Sequence, residues 1–260
     1  MIPQPAITAW GNTRRWPSRA AIEQDLLLAR TIVEIYRHPV LAEELVFRGG
    51  TCLHQVHLPE PLRYSEDLDF VRRTHSEIGP VLDALREVAA SVGLRVKGTD
   101  VRKYPKVRMQ ADAEEGGAKL NIKIEINTYE TSPAGDVIKA PFEVANSWFT
   151  GAVDVLTLTP EELVSTKLRA LFQRSKGRDL FDLWLALTQM HLSPDRILEM
   201  FSPYRPDGYT ADRAVENLQA KVASETFRTD LDLLVTQWPD DYNIEQAAQL
   251  VIDQLLSRIP

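Results

Sequence analysis

The stretch FRGGTCLHQVHLPEPLRYSEDLDF, residues 47–70, closes on Asp67 and Asp69, one residue apart inside an apolar run. In an extended strand, residues i and i+2 point to the same side, roughly 6.5–7 Å apart. Both carboxylates therefore meet over one patch while Leu68 and Phe70 turn toward a core. Two like charges so close want a cation. Hard divalent ions such as Mg²⁺ take carboxylate and phosphate oxygens, and two of them roughly 3.5–4 Å apart clamp the attacking and leaving oxygens of a phosphoryl transfer. The plainer alternative is a solvated edge face, or a salt bridge to Arg63 or Arg72.

Three further groups suit the same chemistry. The backbone N–H groups of Gly49, Gly50 and Thr51 can approach phosphate oxygens with no side chain in the way, although a Gly-Gly pair is also an ordinary turn. Glu125 sits on the polar side of an alternating segment and is the residue type a third metal ligand should be; a surface glutamate is the simpler alternative. Lys167 follows Leu163 and precedes Leu171 at helical spacing, which places it near an apolar stripe. A lysine there needs an anion, either Asp179 or Asp182 on the next helix or a nucleotide phosphate shared with them.

These residues need elements to position them. Residues 1–19, with three prolines, read as an extended arm on the surface. Helical spacing predicts a helix over 20–37, ended by Pro39, and a short one over 40–46. SEIGPVLDALREVAASVGL reads as an amphipathic helix stopped by Gly93. LRVKGTD, KVRMQAD and AKLNIKIEIN alternate like strands, the last two joined at Glu114–Gly117, so a mixed sheet is expected. In the last strand Leu120, Ile122, Ile124 and Ile126 share one face; Asn121, Lys123, Glu125 and Asn127 share the other. From Pro160 the pattern is helical over 160–173, 177–190, 194–201, 211–223, 226–237 and 243–257, with Thr159 as the N-cap of the first. The pattern changes near residue 158, which predicts domains 1–158 and 159–260.

Composition sets the limits. The 260 residues are 44% hydrophobic and 26% charged, an ordinary foldable mixture. No apolar run is long enough for a bilayer and the N-terminus lacks a signal-peptide core, so a cytoplasmic protein is expected. The single cysteine, Cys52, excludes an internal disulfide and reads as a buried structural thiol. The net charge of −7 argues at first against a polyanionic partner, but residues 95–123 carry eight basic against four acidic groups. The acidic excess lies after residue 189, so a nucleic acid remains a candidate partner. For the basic segment the alternative is a lysine-guarded sheet edge.

Read in order, FRGGTCLHQV, RYSEDLDF, IKIEI and LVSTKLRALFQRSKGRDLFDL resemble the AbiEii/AbiGii family of MenT-like nucleotidyltransferase toxins, over roughly residues 20–190. The resemblance implies an α+β fold: a polymerase-β-type nucleotidyltransferase small mixed sheet with flanking helices, followed by an all-α C-terminal part. It implies that Gly49, Gly50 and Thr51 hold phosphates, with Arg63, Ser65, Lys123 and Lys167 completing the nucleotide site. It makes Asp67, Asp69 and Glu125 ligands of Mg²⁺, or of Mn²⁺ in its place, with Lys167 and Asp179 or Asp182 supporting catalysis. The wider superfamily has Gly-Ser where this chain has Gly50-Thr51, and a shorter spacing to the first aspartate than the loop holding Pro59 and Pro61.

The activity implied is NMP transfer from an NTP to an RNA acceptor such as the tRNA 3′ end, blocking translation, with a cognate antitoxin as partner. Two alternatives stand beside it: a protein-modifying nucleotidyltransferase, and a non-catalytic nucleotide-binding module.

Overall fold

The opening prolines start a helix. Helix α1 (Gln4–Thr13) has proline in its first turn, where a missing N–H costs nothing. Ala6, Ile7 and Trp10 are buried along it, so the extended arm expected for residues 1–19 is corrected. Helical spacing of three apolar residues outweighs the prolines around them. The Trp10 indole N–H donates to Asp25 Oδ2 at 2.9 Å, and Gln55 Nε2 donates to Asp25 Oδ1 at 2.6 Å. One buried carboxylate thus ties the first helix to two later segments of the chain. The computed structural model describes residues 2–58, 60–101, 104–130 and 132–259. Pro59 of the long loop, and Arg102 and Lys103 of the basic segment, lie outside the described residues.

The chain divides into two compact units, Met1–Pro133 with Val137–Leu158, and Ala134–Asp136 with Thr159–Pro260. In the first, helix α2 (Arg19–Arg37) is capped by Ser18, whose hydroxyl accepts from Ala21 N at 3.1 Å. Pro39 ends it and opens α3 (Pro39–Glu44). The helix expected to reach residue 46 stops at Glu44, because Leu45, Val46 and Phe47 instead form strand β1 (Leu45–Arg48). Pairing with β2 (Asp67–Arg72) decides this, with Phe47 opposite Phe70 and their rings stacked at 5.0 Å. Between them Gly49 opens α4 (Gly49–Val56). The glycine pair therefore follows a strand, not a helix as the spacing had suggested.

Helix α5 (Gly79–Ser91) leads to β3 (Arg95–Asp100), β4 (Lys106–Asp112) and β5 (Lys119–Asn127). The stretch after β5, to which the pattern assigns no element, forms the hairpin β6 (Ile138–Ala145) and β7 (Thr150–Thr157). Its alternation is real: Ala140, Phe142 and Val144 are buried while their neighbours are exposed. Pro141 disguises it, and Pro141 is tolerated because β6 is an edge strand. The seven strands run in the order β3-β4-β5-β2-β1-β7-β6. β2 pairs parallel with β5, and β1 parallel with β7, so the sheet is mixed.

Leu68 and Phe70 of β2, Ile122, Ile124 and Ile126 of β5, and Val107 and Met109 of β4 are all buried. Each such side chain stabilises by about 1.5–3 kcal/mol relative to exposure, which fixes the pleat. The opposite, polar face of the same strands is thereby fixed as well.

The second unit is helical: α6 (Pro160–Gln173), α7 (Gly177–Thr188), α8 (Pro194–Phe201), α9 (Ala211–Val222), α10 (Glu225–Arg228) and α11 (Ile244–Gln254). Thr159 caps α6, accepting from Glu162 N, and Lys221 closes its other end on the carbonyls of Leu171 and Phe172. The buried Glu162 carboxylate accepts from Ala134 N at 2.6 Å and Gly135 N at 3.0 Å, which draws residues 134–136 into this unit. The helix expected over 226–237 is corrected: only α10 forms, followed by turns. Asp230 is pulled to the start of α7 instead, accepting from Arg178 N and pairing with Lys176.

Candidate active site

Strand β1 ends at Arg48, and the chain then takes φ +83° at Gly49. That conformation favours glycine, and space demands glycine too: a Cβ there would strike the Asp69 carboxylate. A Cβ on Gly50 would strike the Arg63 guanidinium. The turn is thus packed against an acid on one side and a cation on the other. No side chain of Arg48 caps α4, and the first N–H groups of a helix are donors that suit an anion.

Thr51 and Arg63 are buried. Thr51 Oγ1 donates to the Asp67 carbonyl at 2.6 Å and lies 2.8 Å from Ser65 Oγ. Arg63 Nη1 donates to the Tyr64 carbonyl at 3.2 Å. Thr51, Arg63 and Ser65 therefore brace the loop between the glycines and β2.

The register of the sheet sets the rest. Asp67 lies opposite Lys123, and Asp69 lies opposite Glu125. On the far side of β5, Lys123 faces Arg108 and Glu125 faces Lys106, while Arg48 of β1 faces Asp69. Two polar rows cross the strands, one Asp67, Lys123, Arg108, the other Arg48, Asp69, Glu125, Lys106. Neighbouring strands lie about 4.8 Å apart, so opposite side chains in a row come within reach of one another. The Lys123 ammonium is 2.8 Å from Asp67 Oδ2 and 3.0 Å from Glu125 Oε1, and Lys106 Nζ is 3.1 Å from the same Glu125 oxygen.

Burial by itself would lower the Lys123 pKa, but the hydrogen bonds its ammonium donates to Asp67 and Glu125 outweigh it and leave it raised. Burial would likewise raise Glu125, yet Lys123 and Lys106 bring it below its ordinary value. Both shifts favour the charged forms of Lys123 and Glu125. Cys52 is buried below, its thiol pushed up to about 12 by burial, with the Asp69 charge adding to the effect. It is inert there, as expected of a structural cysteine.

Among the described residues no three His, Cys, Asp or Glu side chains form a ready metal cage. The donor chemistry nevertheless fits Mg²⁺: three carboxylates share a face, and a lysine ammonium already stands between Asp67 and Glu125 where a cation is needed.

The other predicted residues form a cluster of their own within the second unit. Lys167 Nζ lies 2.8 Å from Asp182 and 3.6 Å from Asp179, and Arg174 grips Asp179 through two 2.7 Å hydrogen bonds. Lys167, Asp179 and Asp182 are all buried. Two cations balance two anions, joining α6 to α7. Arg48 and the pairing roles of Lys106 and Arg108 escaped the sequence reading. The alternation Lys106-Val107-Arg108-Met109 carried the signal for two of them, whereas Arg48 needed the unrecognised β1.

Residues 32–255 match the family model described as nucleotidyl transferase AbiEii toxin, type IV toxin–antitoxin system. No curated protein matches the sequence. Among solved structures, the nucleotidyltransferase toxin MenT4 from Mycobacterium tuberculosis superposes with a TM-score of 0.70 at 16% identity, covering 100% of this chain and 91% of that one. JHP933 from Helicobacter pylori gives 0.57 at 20% identity, covering 91% and 90%. At these identities the likeness speaks for the fold, and the α+β arrangement of a mixed sheet with a helical C-terminal part is that fold.

Proposed function

This chain belongs to the AbiEii family of nucleotidyl transferase toxins of type IV toxin–antitoxin systems, and from that premise we propose that it transfers NMP from an NTP to an RNA acceptor such as the 3′ end of tRNA. Blocked translation is the outcome, the cytoplasm its place of action, and an antitoxin protein its genetic counterpart. The observation that carries the reading is the close fit of Asp69 into the space left by Gly49. It ties a phosphate-binding turn to a pair of metal-binding acids in one rigid piece.

In this proposal the N–H groups at Gly49, Gly50 and Thr51 hold the triphosphate, and Arg63 stiffens the turn beneath it. Asp67, Asp69 and Glu125 would hold Mg²⁺, or Mn²⁺ in its place, and the ion would supply positive charge to neutralise the phosphate oxygens. Lys123 stands between Asp67 and Glu125 and offers its ammonium to a phosphate. An acceptor hydroxyl displaces pyrophosphate from the α-phosphorus in line; the chain mainly positions and neutralises. Lys167, Asp179 and Asp182 support the reaction as a positioning group that holds α6 and α7. The RNA assignment draws on the cations beside the acids. Arg108 is exposed, and opposite it Gly98 leaves open space.

The test is incubation with each α-labelled NTP, Mg²⁺, and total tRNA or cell extract, comparing wild type with Asp69→Ala. Label on RNA from the wild type, reduced at least about 100-fold in the variant, is expected. A labelled protein band would select the protein-modifying alternative. NTP binding without transfer would select the non-catalytic one. Equal labelling by Asp69→Ala would overturn the site.

A further inference from the structure

Most large apolar side chains here are buried, yet Tyr129 is 62% and Tyr104 40% exposed, and their rings meet edge to face at 5.7 Å. Both are held in place. The Asn127 side-chain oxygen accepts from the backbone N–H groups of Tyr129 and Glu130, at 2.9 and 3.0 Å. The Asn127 amide donates to Glu130 at 3.0 Å, and Arg48 donates to the same carboxylate oxygen at 2.9 Å. On the other side, Ile126 N donates to the Pro105 carbonyl at 2.8 Å, which fixes the chain next to Tyr104 against β5. The pair thus stands at the end of the polar face, Tyr129 four residues after Glu125 and Tyr104 two residues before Lys106.

We propose that Tyr104 and Tyr129 form a stacking platform for an unpaired base of the RNA acceptor. The inference rests on the nucleotidyl-transfer reading and names how its second substrate is held. Aromatic faces beside cations are what single-stranded nucleic acid requires, since every base has a π-face and every linkage a phosphate. Position selects the acceptor strand over the NTP base. Tyr104 precedes β4 and Tyr129 follows β5, on the side of the carboxylates that carries Lys106 and Arg108. The glycine turn follows β1, with β2 and its two aspartates between. A nucleotide at the turn and a base on the platform would flank the same acids.

The test uses the full chain, a fluorescent short single-stranded oligoribonucleotide, and an abasic oligomer of equal length. Tyr129→Ala and Tyr104→Ala are each expected to weaken binding of the oligoribonucleotide by roughly 5- to 150-fold, the span of one lost base stack. Tyr129→Trp should retain it, and the slope of affinity against salt should not change, because no phosphate contact is lost. Binding of the abasic oligomer and the KM for NTP should be unaffected. Unchanged affinity in both alanine variants overturns the platform, as does failure of the wild type to prefer the oligomer with bases. An effect confined to the KM for NTP overturns the acceptor assignment. Asp69→Ala, assayed alongside for label transfer, reports separately on nucleotidyl transfer.

Discussion

Two lysines in this molecule each stand between two carboxylates, and they stand in opposite surroundings. Lys123 joins Asp67 to Glu125 on a sheet face, with about a third of each lysine and glutamate side chain open to solvent. Lys167 joins Asp179 to Asp182 between helices, where the acids have no exposed surface at all. The same three groups therefore do different work. In the open cluster water shares the charges, so partners can be exchanged for a ligand at little cost. In the closed one each charge depends on the others, because the desolvation each has suffered is repaid only by its neighbours.

Lys167→Met attacks the closed cluster and should have the largest effect. It leaves Asp182 without the lysine and is expected to destabilise by about 3–5 kcal/mol, read as a lower urea midpoint with faster hydrogen exchange in α6 and α7. A loss under about 1 kcal/mol would make the two clusters equivalent after all. Next comes acid. Burial lowers His57, at the end of α4, from 6.5 to about 4. Between those values the unfolded chain binds the extra proton, so stability falls as pH drops from 6.5 toward 4, by about 2–3 kcal/mol. Unfolding followed against pH should show this loss, and His57→Gln should flatten it.

Gly49→Ala should cost about 1–2 kcal/mol through its positive φ. Because the new methyl displaces Asp69, label transfer should fall far more than that stability change explains; parallel transfer and unfolding assays separate the two. Lys123→Met should be the mildest for folding, within about 1 kcal/mol, as expected of a half-exposed pair. A thermal midpoint shifted as far as that of Lys167→Met would erase the contrast between the clusters.

The sequence was most legible where one physical rule acted alone. Alternation placed Asp67, Asp69 and Glu125 on a polar face, and the Thr159-Pro160 start marked α6 to the residue. It was least legible where a distant partner decided. Leu45–Phe47 became a strand only because β2 lay beside it, and residues 229–237 left the helical path once Asp230 found the start of α7. Pro3, Pro5 and Pro141 misled in another way, since each occupies a position where its missing N–H does no harm. The buried state of Lys167 was half legible: spacing put it near the apolar stripe, but only the structure shows both aspartates closed upon it.

The parallel pairing of β2 with β5 has a consequence for how activity can be lost. A strand has a phase of two, so sliding β2 by one step would present Leu68 and Phe70 to water and bury Asp67 and Asp69. No register between these two keeps the core and turns the acids away from the polar face. A molecule of this protein with a sound core therefore has its carboxylates aligned, and one with misaligned carboxylates has no sound core to persist with. Under the proposed site, the pool of folded chains is then also the pool of armed ones, so an inert but durable form has to be made by changing side chains on the polar face and leaving the pleat alone.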